Sequence, residues 1–287
     1  MAKLNDLQTR CKPNWCPGCG NFAIQTALKN ALVNLNLEPH KVCLVTGIGC
    51  GSKMTFWINT YGFNSIHGRL LPPATAIKLS NPELTVIGVG GDGDGYGIGM
   101  GHFIHAMRRN LDILYIVQNN QIYGLTKGQA SPTSDKGSKS KSTPFGVIEI
   151  PVNPLALALS ANATYISRGF AGELDHLTKL IEDGIKHKGF ALLDVFQPCV
   201  TFNKVNTYEY FNERVKKLED DSNYDPTNKS LAFEKCLDIN ENEIPIGLFY
   251  KEQRPTYSEE EVGLKDGPIV NHDISNINIQ PLMDSFT

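Results

Sequence analysis

The sequence predicts an α/β protein whose parallel sheet is covered by helices on both faces. Two observations carry this prediction: short continuous apolar runs alternate with segments of helical periodicity, and several runs end in turns rich in glycine or asparagine. Strands that are buried on both faces appear as continuous apolar runs, and parallel sheets are the sheets that are regularly buried in this way. Because ligands of such sheets bind beyond the carboxyl ends of the strands, a site is expected at those turns.

The predicted elements follow one another in a regular order. Residues 21–37 carry apolar side chains at helical spacing, with Asn21 as the expected N-cap. Further helices are predicted within 98–110 and 173–188, and strands are predicted within the segments 41–50, 84–95, 112–120 and 190–199.

Two segments depart from this alternation. Residues 124–146 are polar, lack periodicity and are too long for an ordinary connection, which indicates either a functional loop or a mobile one. After residue 204 the alternation weakens, and the tail has one apolar patch at 244–250. We therefore expect a cofactor-binding domain at 1–204 and a C-terminal extension or arm at 205–287.

Composition and charge narrow the possible partners. The chain has 287 residues and a net charge of −3, so no basic excess points to nucleic acid. No apolar run is long enough to predict a membrane span, and the start MAKLNDLQTRCK lacks the apolar core of a signal peptide, so we expect a cytoplasmic protein. The seven cysteines are an odd number, which in a reducing compartment favours metal or redox chemistry over disulfides. Cys43, within an apolar run, is expected to be a core residue.

The cysteine pair Cys16 and Cys19 lies in the stretch NWCPGCGNF and has the spacing of half a zinc ribbon. The sequence contains no second close pair, so any remaining ligands must come from isolated cysteines. A set of four thiolates would suit either zinc or an iron–sulfur cluster, and spacing alone does not separate the two.

A second constellation lies at the ends of two predicted strands. Asp92 stands in a Gly-Asp-Gly turn after one strand, and Asn119 and Asn120 end the next strand. One helix and one strand fit between them, so the two strand ends should lie side by side. A carboxylate and an amide oxygen suit Mg²⁺, with waters and phosphate oxygens in its other positions. The glycines allow backbone N–H groups to approach a diphosphate at a helix start.

The pair GDG…NN resembles the thiamine diphosphate motif. Together with WCPGCGN, GIGCGSK, SIHGRLLPPATAIKLSNPEL, NNQIYGLTKGQASPTS and DVFQPCVTFN, it makes residues 11–215 resemble the beta subunit of 2-oxoacid:ferredoxin oxidoreductases. The resemblance implies thiamine diphosphate, Mg²⁺ and a 4Fe–4S cluster as cofactors, and coenzyme A as cosubstrate. The implied reaction is coenzyme A-dependent oxidative decarboxylation of a 2-oxoacid, of the 2-oxoglutarate or pyruvate type, to acyl-CoA and CO₂. Electrons would pass through the cluster to ferredoxin, and a separate alpha subunit would complete a heterodimer.

The resemblance also implies roles for particular residues. The cluster ligands would be Cys16, Cys19, Cys50 and Cys199, with Cys11 as the alternative ligand. Asp92 and Asn120 would bind Mg²⁺ through side chains and Ile122 through its carbonyl. Leu125, Lys127 and His67 would lie at the chemistry, although His67 could equally be an ordinary histidine. The cofactor-binding set comprises Gly49, Cys50, His67, Gly91, Asp92, Gly93, Asp94, Asn120, Ile122, Gly124, Leu125 and Thr126.

Two other functions stay open on the residues alone. One is a non-oxidative thiamine diphosphate enzyme with a structural zinc site. The other is a zinc-binding scaffold without catalytic activity, in which the glycine turn binds no cofactor.

Overall fold

The computed structural model describes residues 2–238, 242–265 and 267–286. Its strands are β1 (Val42–Thr46), β2 (Tyr61–Asn64), β3 (Thr85–Gly91), β4 (Leu114–Asn119), β5 (Ile122–Tyr123), β6 (Gln129–Ala130), β7 (Tyr165–Phe170), β8 (Ala191–Phe196), β9 (Val215–Lys217) and β10 (Ile244–Lys251). Its α-helices are α1 (Asn21–Asn34), α2 (Leu71–Ser80), α3 (Met100–Arg108), α4 (Pro154–Ser160), α5 (Leu174–Lys186), α6 (Tyr208–Asn212), α7 (Lys229–Leu237), α8 (Tyr257–Glu260) and α9 (Gln280–Asp284).

One sheet organises the molecule. Its strand order is β2-β1-β3-β4-β8-β7-β10-β9, and β10 alone among these described strands runs antiparallel to a neighbour, β7. The central strands β1, β3, β4 and β8 are the four predicted from continuous apolar runs. The prediction of a parallel-sheet α/β fold is confirmed.

The two faces of the sheet carry separate cores. Because successive strand residues point to opposite faces, Leu44 of β1 packs in one core and Val45 packs in the other. Helices α1 and α5 cover the first face, with Leu28 and Leu177 fully buried there. Helices α2, α3 and α4 cover the opposite face, where Phe103 of α3 is fully buried. The sheet is therefore covered on both faces, as the sequence predicts.

Several local features differ from the sequence-based expectations. Helix α1 begins at Asn21 with Gly20 as its N-cap, so Asn21 does not cap it. A single π-helical turn, Gly93–Ile98, stands between β3 and α3. Single π-turns occur frequently at functional sites, and this one directly follows the Gly-Asp-Gly turn.

The chain after residue 204 adds further elements to the same sheet, with β10 pairing with β7 and with β9. The division of the chain at residue 204 stays a prediction. Within the long polar segment, β6 forms a small antiparallel pair with β5, and a turn at Ser131–Ser134 follows. Among the described residues, no helix is long and apolar enough to cross a membrane.

Candidate active site

The carboxyl ends of two neighbouring strands bring the predicted magnesium ligands together. Strand β3 pairs in parallel with β4, with Gly91 opposite Gln118, so Asp92 and Asn120 follow the two strands at the same edge. Both residues, and Ile122, line one cavity of about 490 Å³. Every residue of the predicted cofactor-binding set lies in the wall of this cavity.

Asp92 and Asp94 are the most deeply buried charged residues of this wall, and each is only 2% exposed. Burial raises the pKa of the Asp92 carboxyl to about 6, although hydrogen bonds from Ser131 and Thr133 lower it. Among the described residues no ion pair joins a basic side chain to Asp92. A buried carboxylate of this kind fits a divalent cation, which would supply the missing positive charge.

Asn120 is oriented by contacts on both ends of its amide. Its Nδ2 donates to Oε1 of Gln197 at 2.9 Å, and its Oδ1 accepts from the backbone N of Ile122 at 3.1 Å. An amide oxygen has two lone pairs, so Oδ1 retains one for a metal ion. The chain turns sharply between these residues, where Gln121 has a φ of 58°.

Gly93 allows the neighbouring tyrosine to close one side of the cavity. A Cβ at Gly93 would lie 2.1 Å from Cε1 of Tyr123, far inside ordinary contact. Tyr123 also donates its hydroxyl to the carbonyl of Gly93 at 3.2 Å. Any side chain at position 93 would clash with the ring of Tyr123, so the close approach of this ring requires a glycine.

His67 and Asp94 form a pair in the same wall. Asp94 Oδ1 lies 3.0 Å from Nδ1 of His67 and also accepts from the backbone N of Ile48 at 3.0 Å and of Gly68 at 2.7 Å. One carboxylate oxygen therefore joins two turns and the imidazole. The arrangement fixes the ring of His67 against the cavity, with its side chain 39% exposed.

The four predicted cluster cysteines line a second cavity of about 270 Å³. A Cβ at Gly124 would lie 3.5 Å from Sγ of Cys199 and 3.8 Å from Sγ of Cys50, so this glycine backs directly onto two of the sulfurs. Cys16 and Cys19 reach the cavity from the turn that precedes α1. Cys11 is exposed and is not part of this lining.

Burial and mutual proximity shape the chemistry of these thiols. Burial, and to a smaller extent the nearby sulfurs of Cys199, Cys50 and Cys16, raises the pKa of Cys19 to about 11. Burial also raises the pKa of Cys50. In the described parts of the chain, no three His, Cys, Asp or Glu side chains are gathered closely enough to enclose a single metal ion. Metal binding at protonated thiols releases protons, so loading would be favoured at higher pH.

The two cavities adjoin. They share lining residues Cys50, Asn120, Gly124 and Leu125. Leu125 is 44% exposed between them, and Lys127 lines only the cysteine cavity. Lys127 also has a φ of 77°, a conformation that non-glycine residues adopt rarely and that often marks functional sites.

Two family models match consecutive parts of the chain. Residues 47–195 match the family model described as thiamine pyrophosphate enzyme, C-terminal TPP binding domain, and residues 199–266 match the model for the C terminal part of the pyruvate ferredoxin oxidoreductase beta subunit. The chain is 44% identical over 286 residues to the 2-oxoacid:ferredoxin oxidoreductase subunit beta of Saccharolobus solfataricus, covering 94% of this chain and 93% of that protein.

The chain belongs to the family of 2-oxoacid:ferredoxin oxidoreductase beta subunits. It is also 34% identical to the 2-oxoglutarate synthase subunit KorB of Methanocaldococcus jannaschii, covering 88% of this chain and 93% of that one. Among solved structures, it resembles 2-oxoglutarate:ferredoxin oxidoreductase from Magnetococcus marinus with 2-oxoglutarate, coenzyme A and succinyl-CoA bound. The TM-score is 0.91 and the identity 33%, covering all of this chain and 96% of that chain. The predicted family is confirmed, and this beta subunit is an oxidoreductase subunit.

Some polar residues of the beta-subunit site were not predicted from the sequence. Ser131 and Thr133 both donate hydrogen bonds to Asp92. Behind them, Asp194 accepts from Asn119 and from Arg168. A polar residue inside an otherwise apolar strand, such as Asp194 in ALLDVF, is the only signal that the sequence offered.

Proposed function

We propose that this chain binds thiamine diphosphate with Mg²⁺ and a 4Fe–4S cluster, and that it acts with an alpha subunit. The complex would convert a 2-oxoacid and coenzyme A into acyl-CoA and CO₂, and a pair of electrons would leave to ferredoxin. The observation that carries this proposal is the shared wall of the two cavities. A cofactor in the larger cavity and a cluster in the smaller one would be neighbours, because Cys50, Asn120, Gly124 and Leu125 line both cavities.

The residues that would hold the cofactor follow from the geometry of the larger cavity. Asp92 and Asn120 would offer side-chain oxygens to Mg²⁺, and Ile122 would offer its carbonyl. Gly91 and Gly93, which both line this cavity, would face the diphosphate with their backbone. When bound, thiamine diphosphate supplies the carbanion stabilisation that decarboxylation of a 2-oxoacid requires.

The residues of the smaller cavity support a cluster. Cys16, Cys19, Cys50 and Cys199 come from three separate turns and line one cavity, and thiolates are the usual ligands of 4Fe–4S clusters. All seven cysteines are free thiols in the structure, which agrees with our proposal of a reducing, cytoplasmic setting.

An alpha subunit is proposed to cover the mouth of the larger cavity. Exposed apolar side chains lie in or near its wall: Ile48 and Leu125 line the cavity, and Ile98 lies against the turn at Gly68 beside His67. Clusters of exposed apolar residues mark interaction surfaces. The partner would supply the carboxylate that activates the aminopyrimidine and the groups that recognise the substrate carboxylate.

The substrate is proposed to be a 2-oxoacid of the 2-oxoglutarate or pyruvate type. The names of the relatives support this class, since one is named as a 2-oxoglutarate synthase subunit and the solved neighbour holds 2-oxoglutarate. His67 and Leu125, at the larger cavity, and Lys127, at the cysteine cavity, would be the residues of this chain that lie nearest the reaction.

The test is anaerobic purification of this chain with its alpha subunit. We expect about four iron atoms per chain, visible absorption that bleaches with dithionite, and thiamine diphosphate in the denatured extract. Addition of a 2-oxoacid should reduce ferredoxin only when coenzyme A is present. Zinc in place of iron would instead support the non-oxidative enzyme, and absence of thiamine diphosphate would support the scaffold.

A further inference from the structure

The segment Ser131–Ser134, with sequence SPTS, folds as a turn that is packed under the larger cavity. The backbone N of Ser134 donates to the carbonyl of Ser131 at 3.1 Å and closes the turn. The hydroxyl of Ser134 holds it in place, because it accepts from the backbone N of Ser131 at 2.8 Å and donates to the carbonyl of Gln121 at 2.6 Å. Ser131, Thr133 and Ser134 are all less than a tenth exposed.

The two other hydroxyls of this turn meet on one oxygen of Asp92. Ser131 Oγ donates to Oδ2 at 2.5 Å, and Thr133 Oγ1 donates to the same Oδ2 at 2.7 Å. A carboxylate oxygen has two lone pairs, so these two donors saturate Oδ2. In the described part of the chain, the side-chain hydrogen bonds that reach this carboxylate all end on Oδ2.

A buried chain of polar groups fixes Thr133 from behind. Its hydroxyl also lies 2.9 Å from Oδ1 of Asn119, whose Nδ2 donates to Oδ1 of Asp194 at 3.1 Å. Asp194 is itself held by the hydroxyl of Tyr96 at 2.9 Å and by Nε of Arg168 at 3.2 Å. The single hydroxyl hydrogen of Thr133 is shared, and the charged carboxylate is the stronger acceptor.

We propose that Ser131 and Thr133 are positioning residues that hold Asp92 so that it offers only Oδ1 to a divalent cation. The inference rests on the proposed function, because it takes the cation of that cofactor site as its ligand. Neither hydroxyl touches the cation; each acts through the carboxylate.

Presentation of a single oxygen selects the size of the ion. Mg²⁺ requires near-octahedral geometry with short bonds, whereas Ca²⁺ accepts more ligands and often takes both oxygens of a carboxylate. With Oδ2 saturated by two donors, Asp92 cannot turn both oxygens toward the ion. The Ser131–Thr133 pair therefore favours Mg²⁺ over Ca²⁺.

The test compares Ser131→Ala/Thr133→Val with the unaltered chain, each in complex with the alpha subunit, stripped of cations by a chelator. Calorimetric titration with Mg²⁺ and with Ca²⁺, at saturating thiamine diphosphate, gives the two affinities. Loss of such outer partners typically lowers metal affinity by about 10–100-fold, and we expect a loss of this size for Mg²⁺. Ca²⁺ should lose less, so the ratio of the two affinities should fall.

Two control variants separate positioning from general loosening of the turn. Ser134→Ala removes a hydroxyl that holds the same turn but does not touch Asp92, so it should leave the Mg²⁺/Ca²⁺ ratio unchanged. Thr133→Ser keeps a donor and should retain most of the preference. A double variant that loses both affinities equally, or neither, would overturn the inference while the unaltered complex still binds Mg²⁺. Failure of the unaltered complex to bind Mg²⁺ with thiamine diphosphate would overturn the proposed function as well.

Discussion

Replacement of Gly93 by alanine should weaken cofactor binding without unfolding the protein. The added Cβ would lie 2.1 Å from Cε1 and 2.5 Å from Cζ of Tyr123, whereas ordinary contacts begin at 3.4 Å. The ring must swing away, and the larger cavity, which Tyr123 lines, is the space beside it. Overpacking of this kind costs about 1–3 kcal/mol. If that free energy is taken from binding, the affinity for thiamine diphosphate with Mg²⁺ should fall by about 5–150-fold.

The assay is equilibrium binding of thiamine diphosphate at saturating Mg²⁺, with thermal unfolding measured in parallel. Gly101→Ala is the matched control, because it lies in helix α3 with nothing within 4 Å of its added Cβ. It should leave binding unchanged and stabilise the helix by about 0.5–1 kcal/mol.

A double-mutant comparison decides whether the tyrosine ring is the cause. In a Tyr123→Ala background the added methyl at position 93 meets no ring, so Gly93→Ala should have almost no further effect on binding. If Gly93→Ala weakens binding equally in both backgrounds, the clash with Tyr123 is not the reason and the reasoning is refuted.

Four further predictions concern the metal sites, the fold and the partner. Asp92→Ala should abolish Mg²⁺-dependent retention of thiamine diphosphate and Asn120→Ala should weaken it less, since water can replace a neutral oxygen; equal retention by gel filtration in both would contradict this. Burial lowers the pKa of His187 to about 4. Below about pH 6.5, His187 therefore takes up a proton in the unfolded chain but stays neutral in the folded chain. The contribution of His187 to stability should therefore fall by about 1–2 kcal/mol between pH 8 and pH 5, and chemical denaturation should show this as a difference in pH slope between the unaltered chain and His187→Gln. This chain alone, reconstituted with iron, sulfide, Mg²⁺ and thiamine diphosphate, should show no 2-oxoacid-dependent dye reduction with coenzyme A, and turnover matching the complex would place the activating carboxylate here. Iron analysis should find that the cluster is lost when serine replaces any of the cysteines at the smaller cavity, Cys16, Cys19, Cys50 and Cys199. The cluster should be retained when serine replaces the buried Cys43 or Cys236.

The strands that could be predicted are those whose residues are almost all apolar. Strands β1, β3, β4 and β8 lie at or near the middle of the sheet, where both faces are buried and the sequence becomes a continuous apolar run. Strand β7 was missed because YISRGF contains a serine and an arginine, although all six residues are buried. Arg168 is accommodated there by its ion pair with Asp194 and by the ring of Phe196, 4.9 Å from its guanidinium carbon. Strand β2 was missed because it is exposed along its whole length, so it does not form a buried apolar run of the kind used to predict the other strands.

The residues that surround Asp92 could not be predicted because they depend on the path of a loop. The segment 124–146 has no periodicity, so nothing in the sequence predicts that its turn at 131–134 returns to the end of β3. The contact joins residues that lie 39 and 41 positions apart in the chain. Hydroxyl side chains in a polar loop are ordinary, and only the fold shows that these two are buried against a carboxylate.

The two aspartates of GDGDG, Asp92 and Asp94, look equivalent in the sequence but have different hydrogen-bond donors in the structure. Both follow a buried strand, both have glycine neighbours, and the sequence assigns both to the cofactor. In the structure each carboxylate has one saturated oxygen, but the donors differ. Asp92 Oδ2 accepts hydrogen bonds from the hydroxyls of Ser131 and Thr133, so Oδ1 is the oxygen that our proposal assigns to a cation. Asp94 Oδ1 takes two backbone N–H groups and the imidazole of His67, and its Oδ2 is buried without a described partner, where a Cβ at Gly47 would lie within 2.0 Å of it. The turns after β1 and before α2 hold Oδ1 of Asp94, whereas the two hydroxyls that hold Oδ2 of Asp92 both come from the turn at 131–134, so the two carboxylates are fixed by different parts of the chain.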